Sequence, residues 1–258
     1  MPDLPRDDVH LWLSCPDEAS GGELLRQYRS LLEPQELEKG ARFYFERDRH
    51  RHLVTRALVR VVLSKYVPAI EPGQWRFGAN AHGCPFIANG DPLAQRLRFN
   101  VSHTAGLVAL AVACDKAVGV DVESLRRKSN AELADHYFAG SEAASLQALD
   151  APLRHGRFFD FWTLKESYIK ARGMGLSIPL DQFAFDLADE GKIGFCTDAR
   201  LGDAPERWSF AQFKPSADHI GALCVEQAPA AALSFTATRI VALQSESPLD
   251  CAVLRRSG

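Results

Sequence analysis

The stretch Phe159-Asp160-Phe161-Trp162-Thr163-Leu164-Lys165-Glu166-Ser167-Tyr168-Ile169-Lys170-Ala171-Arg172-Gly173 reads as one buried helix with a polar edge. Phe158, Phe161, Trp162, Leu164, Tyr168 and Ile169 recur at helical intervals, and Gly173 supplies a common helix stop. Four residues apart, Glu166 and Lys170 lie on the same side and could face one ligand. Such a pair in isolation is ordinarily a surface ion pair worth only ~0.3–0.5 kcal/mol. A second acidic motif upstream changes that reading.

In Ala117-Val118-Gly119-Val120-Asp121-Val122-Glu123 the β-branched run predicts a strand. Residues two apart share a strand face, so Asp121 and Glu123 project together while Val120 and Val122 turn away. Two carboxylates on one face repel unless a cation lies between them, and with Glu166 as a third oxygen donor the set suits a hard divalent ion such as Mg²⁺. A third piece, Phe99-Asn100-Val101-Ser102-His103, precedes a strand-like run from Gly106 to Ala113. It puts a hydroxyl and an imidazole at a strand mouth, where both can donate to a phosphate.

The remaining sequence bounds the function. With 258 residues, 46% hydrophobic and 24% charged, the chain can bury a substantial core in one large or two small domains. A net charge of −3 argues against bulk electrostatic binding of nucleic acid. Cys15, Cys84, Cys114, Cys196, Cys224 and Cys251 form no CxxC pair, so reduced thiols and no zinc are expected. No signal-peptide pattern and no long apolar run occurs, so a cytoplasmic protein without membrane contact is expected.

Along the chain, Val9–Leu13 reads as a strand, Glu23–Leu32 as a helix, and Pro34 to about Tyr66 as a cationic helical region. Strands follow at Gln74–Phe77 and Pro85–Ile87, then a hairpin over Leu97–Ala113. The second half repeats that order: the Phe158–Arg172 helix, strands at Phe183–Leu187 and Ile193–Phe195, and a hairpin over Trp208–Val225. This predicts an α+β protein of two similar α/β lobes, residues 1–116 and 117–228, with a ligand cleft between them. Residues 229–258 form an extension with one strand from Ser234 and no assigned role.

FNxSH, GxDxE and WxxKExxxK in this order resemble the 4′-phosphopantetheinyl transferases, most closely the Sfp-type members. Arg42-Phe43-Tyr44, His50-Arg51, Leu58-Val59-Arg60, Gly83-Cys84-Pro85-Phe86-Ile87 and Gly173 to Leu180 extend the resemblance over about Pro34–Val225. It implies lobes related by pseudo-twofold symmetry. It also implies Mg²⁺-dependent (or Mn²⁺-dependent) transfer of the phosphopantetheine arm of coenzyme A to a serine of an apo acyl, aryl or peptidyl carrier protein, releasing adenosine 3′,5′-bisphosphate. Asp121, Glu123 and Glu166 then match metal ligands, and Glu166 alternatively a base, acting directly or through a metal-bound water. Lys170 and His103 match catalytic, phosphate-contacting positions, with Ser102 and Lys165 as further coenzyme A contacts. Lys39 and Arg51 lie where the family places cations for the 3′-phosphate, and Gly83, Cys84 and Pro85 where main chain packs on adenine. Cys84 replaces a frequent Lys or Arg, so another cation such as Arg76 is expected to compensate, and Glu36 stands where some relatives are basic. Arg126, Arg127 and Lys128, with Leu125 or Phe138, are expected to dock the carrier, and the enzyme to be a monomer. A Mg²⁺-dependent pyrophosphohydrolase of coenzyme A or nucleotides, or a degenerate coenzyme A-binding module, are the competing readings.

Overall fold

The computed structural model describes residues 8–129, 132, 134–227 and 233–257. The first half comprises β1 (Asp8–Ser14), α1 (Gly22–Leu31), α2 (Pro34–Ala41), α3 (Glu46–Tyr66), β2 (Phe77–Ala79), β3 (Pro85–Ile87), β4 (Leu97–Thr104) and β5 (Leu107–Cys114). Then come β6 (Val118–Ser124), α4 (Ala134–Tyr137), α5 (Gly140–Gln147), α6 (Ala151–Arg172), β7 (Phe183–Asp186), β8 (Gly194–Thr197), β9 (Trp208–Ser216), β10 (His219–Glu226), β11 (Ser234–Val241), β12 (Ser245–Pro248) and β13 (Ala252–Arg256). The fold is mixed α/β. One sheet has the order β12-β11-β1-β5-β4 and the other β13-β9-β10-β6, with β2–β3 and β7–β8 as small hairpins.

Burial decides which segments become these elements. The Val-Ala-Leu-Ala-Val run of β5 is fully buried between β1 and β4. α6 lays Phe158, Phe161, Leu164, Tyr168 and Ile169 on an aromatic core with Phe183, Phe185 and Phe210, and each such side chain contributes about 1.5–3 kcal/mol on burial. The helix starts seven residues before its first core aromatic. Asp150 is extended as its N-cap and a proline fits in the first turn, while the exposed early residues show no apolar period. It ends at Gly173, whose φ of 63° closes the C-terminus as expected.

Two sequence expectations change. The Pro34–Tyr66 region is two helices, broken where Phe45 is extended. The break folds α2 back on α3, so that the Glu36 carboxylate meets Arg56 and the fully buried Arg60, the latter at 2.5 Å. Beyond Val225 the chain adds three strands, not one: β11 lies parallel to β1, β12 extends that sheet, and β13 pairs with β9. Gln212 of β9 ties β13 to α6, accepting from Arg255 at 2.5 Å and donating to the Asp160 carbonyl at 3.0 Å. No helix among the described residues is long and apolar enough to cross a membrane.

Candidate active site

β6 pairs with β10 along one edge. Its other edge is closed by side chains of β4: Asn100 Oδ1 accepts from Val120 N at 3.0 Å, Ser102 Oγ from Val122 N at 3.3 Å, and Thr104 Oγ1 from Ser124 N at 3.2 Å. The two-residue period of a strand puts the three polar groups on one face, where each satisfies a β6 amide that would otherwise be buried and unpaired. The same hydroxyls hold the acidic pair. Ser102 Oγ donates to Asp121 Oδ1 at 2.8 Å, and Thr104 Oγ1 to Glu123 Oε2 at 3.3 Å.

α6 crosses this seam closely because Gly119 has no side chain. A Cβ there would stand 2.0 Å from the Ser167 carbonyl oxygen and 2.5 Å from Ala171 N, inside any tolerable contact. Lys170 Nζ thereby reaches Asp121 Oδ1 at 2.6 Å and Ser102 Oγ at 2.9 Å. Ser102, His103, Asp121, Glu123, Trp162, Glu166 and Lys170 line one pocket of about 250 Å³. Negative charge is crowded there. Burial, then repulsion by Asp121, pushes Glu166 up to about 7 against the pull of Lys170, and the same two causes raise Glu123. Asp121 Oδ2 is buried without a hydrogen-bond partner.

His103 is held toward its neutral form by burial, then by the positive charges of Arg51 and Lys170. Arg51, paired with Asp48 at 2.8 Å, is near enough to His103 to act on its charge but does not line the pocket. Gly83, Cys84 and Pro85 form the β2–β3 turn, which touches the end of α6 through Asn80 Nδ2 donating to the Gly173 carbonyl at 2.7 Å. Cys84 and Pro85 line a second cavity of about 340 Å³, which shares Lys170 with the first. Lys39 is exposed on α2 and lines neither.

Lys165 corrects the expectation of a coenzyme A contact. It is fully buried, bonded to Glu142 at 2.7 Å and to the carbonyls of Leu180 and Phe183 at 2.8 Å each. With all three donors used inside the core, none is left for a ligand. Arg76 is also corrected: its guanidinium faces Glu33 at 3.3 Å and the carbonyls of Gly73 and Trp75, away from Cys84's cavity. Glu36 is explained by its pairing with Arg56 and Arg60.

The basic segment divides. Arg126 pairs with Asp218 at 2.7 Å and Arg127 with Glu123 at 3.0 Å. Arg127 and Lys128 border a largely apolar groove of about 490 Å³ beside Glu123. Phe138 is buried and stacked on Phe158 and Trp162, and Leu125 packs on the core, so the exposed aromatic on the rim is Tyr137. Asn100 stands in the FNxSH motif without an assigned role, and Thr104 and Tyr137 lie outside the quoted motifs. Strand alternation in Asn100-Val101-Ser102-His103-Thr104 marks the first two as partners of Ser102.

Carboxylate oxygens crowded around a partly exposed lysine and a histidine held toward its neutral form make a pocket suited to a charged ligand. The chain belongs to the 4′-phosphopantetheinyl transferase superfamily, whose family model matches residues 117–224, while the model for the 4′-phosphopantetheinyl transferase N-terminal region matches residues 20–115. It is a 4′-phosphopantetheinyl transferase. The 4′-phosphopantetheinyl transferase HetI of Nostoc sp. is 33% identical over 86% of this chain and 89% of its own length. The 4′-phosphopantetheinyl transferase Sfp of Bacillus subtilis is 34% identical over 65% and 71%, respectively. The L-aminoadipate-semialdehyde dehydrogenase-phosphopantetheinyl transferase of Xenopus laevis is 30% identical over 77% and 68%.

Proposed function

We propose that the enzyme moves the 4′-phosphopantetheine arm from coenzyme A to a serine hydroxyl of an apo carrier protein and releases adenosine 3′,5′-bisphosphate. One observation carries this reading: Asp121, Glu123, Glu166, Lys170, Ser102 and His103 line a single pocket in which one buried oxygen, Asp121 Oδ2, has no partner. Among the described residues no three His, Cys, Asp or Glu side chains stand close enough to hold a metal as they are. The unpartnered oxygen and the raised Glu166 and Glu123 nonetheless fit a hard cation, since both report negative charge without enough compensation. Asp121, Glu123 and Glu166 would hold Mg²⁺ or Mn²⁺, which would supply neutralisation of the pyrophosphate charge.

The chain's own groups do the rest. Lys170 donates to a pyrophosphate oxygen from the pocket wall, and neutral His103 donates its ring N–H to another. Glu166, with a carboxyl near neutrality, takes the proton of the incoming serine hydroxyl. The serine oxygen bonds to the phosphorus that carries pantetheine, and the bond to the adenosine-side phosphate breaks. Arg51 serves the 3′-phosphate, and the Gly83-Cys84-Pro85 main chain the adenine. The carrier docks over Arg126, Arg127 and Lys128 and the adjoining groove, where Tyr137 gives the apolar contact and the cations attract an acidic partner. Two lobes with pseudo-twofold symmetry, residues 1–116 and 117–228, would place the substrate between them. The protein acts as a cytoplasmic monomer.

Incubation with coenzyme A, Mg²⁺ and a panel of apo carrier proteins tests this by mass spectrometry. A carrier heavier by one phosphopantetheine is the expected product. Coenzyme A cleaved at the same rate with no carrier modified would instead identify a pyrophosphohydrolase.

A further inference from the structure

The cavity beside Cys84 holds a cation that the site as described does not use. Arg98 lies on β4 two residues before Asn100 and four before Ser102, so it continues the polar face that closes the seam. It lines the 340 Å³ cavity with Cys84, Phe86, Asn100 and Lys170. Its Nη1 donates to the carbonyls of Gln95 at 2.7 Å and Leu97 at 3.0 Å, and among the described residues it has no acidic partner. Its neighbour Arg96 is different, being neutralised by Asp115 at 2.7 Å outside this cavity. The carbonyls orient the Arg98 fork without cancelling its charge, which leaves donors for a doubly charged oxyanion. Pro85, Phe86 and Phe99 give the same cavity flat apolar walls suited to a base.

We propose that Arg98 binds a phosphate at the nucleotide end of coenzyme A, supplying from β4 a positive charge to the cavity that it lines with Cys84 and Phe86. This rests on the proposed coenzyme A-dependent function. Because Lys170 borders both cavities, a nucleotide with its pyrophosphate at Lys170 extends into the Arg98 cavity without leaving the protein surface.

Steady-state kinetics of Arg98→Ala with coenzyme A and with dephospho-coenzyme A provide the test, with Arg96→Ala as a control for general charge. Arg98→Ala should raise KM for coenzyme A about tenfold, the effect of losing one charge-assisted contact, and change kcat less than twofold. Cys84→Lys in the Arg98→Ala background should recover most of that loss. A rise confined to coenzyme A assigns the contact to the 3′-phosphate, and an equal rise for both substrates assigns it to the pyrophosphate. An unchanged KM in Arg98→Ala, or an equal rise in Arg96→Ala, overturns the proposal. Wild-type protein that modifies no carrier would instead refute the underlying function, and is scored separately.

Discussion

Lys165 and Lys170 sit five residues apart on the same helix and each pairs with a carboxylate, at 2.7 and 2.6 Å, yet they do opposite work. Lys165 and Glu142 are fully enclosed, and every polar atom has a partner: Lys165 bonds two carbonyls, while Glu142 accepts from Ala139 N and Phe185 N. Lys170 is 25% exposed and its partner Asp121 keeps one buried oxygen unpaired. Saturation marks the pair that holds the fold, and incomplete compensation marks the pair poised for a charged ligand. The first pair joins α5 to α6 and to the strand after it. The second borders a pocket.

The largest expected effect breaks the saturated pair. Glu142→Ala leaves the Lys165 ammonium buried without its counter-charge and strips two backbone amides of their acceptor, so urea unfolding should show a loss of about 3–5 kcal/mol. A loss below about 1 kcal/mol would show that the pair does not carry the fold. Within the pocket, Glu166→Gln keeps the size but cannot take a proton, so kcat should fall more than tenfold with little change in unfolding free energy. Full recovery in excess Mg²⁺ or Mn²⁺ would make Glu166 a ligand only.

Thr104→Val sharpens the comparison further. It removes the hydroxyl that holds Glu123 and Ser124 N, and we expect kcat/KM to fall about three- to tenfold while Thr104→Ser restores it, by analogy with the net value of about 1 kcal/mol for one hydrogen bond. An unchanged rate in the valine variant would remove Thr104 from the positioning of Glu123. The smallest effect is at the dock. Reversing Arg126 and Lys128 to Glu, which leaves the Arg127–Glu123 pair in place, should raise KM for the carrier several-fold at low salt, with coenzyme A binding nearly unchanged. A constant carrier KM under those conditions would move the dock to another surface.

These regions were not equally legible in the sequence. Asp121, Glu123, Glu166 and Lys170 carry their geometry in short spacings, two along a strand and four along a helix, which local structure alone converts into a shared direction. Lys165 needed one more step. Five residues separate it from Lys170, about 140° around a helix at 3.6 residues per turn, so the two cannot face one ligand. Its true partner, Glu142, belongs to a helix with no distinctive apolar period, and their meeting is set by tertiary packing. The last strands were hidden for a related reason. β12 is wholly exposed and β13 lacks any fully buried residue, so neither carries the alternation that identifies a half-buried strand. β11 finds its place only by lying against β1 at the other end of the chain.

Asp121→Ala tests the central claim most directly, because it removes the residue at which the seam, Lys170 and the unpaired oxygen meet. Turnover and urea unfolding should be measured on the same preparation at millimolar Mg²⁺. The expected result is no detectable transfer to the carrier with an unfolding free energy within about 1 kcal/mol of wild type, since the lost carboxylate is itself repelled by Glu123 and Glu166. Near-wild-type transfer by a normally folded Asp121→Ala protein would contradict the account.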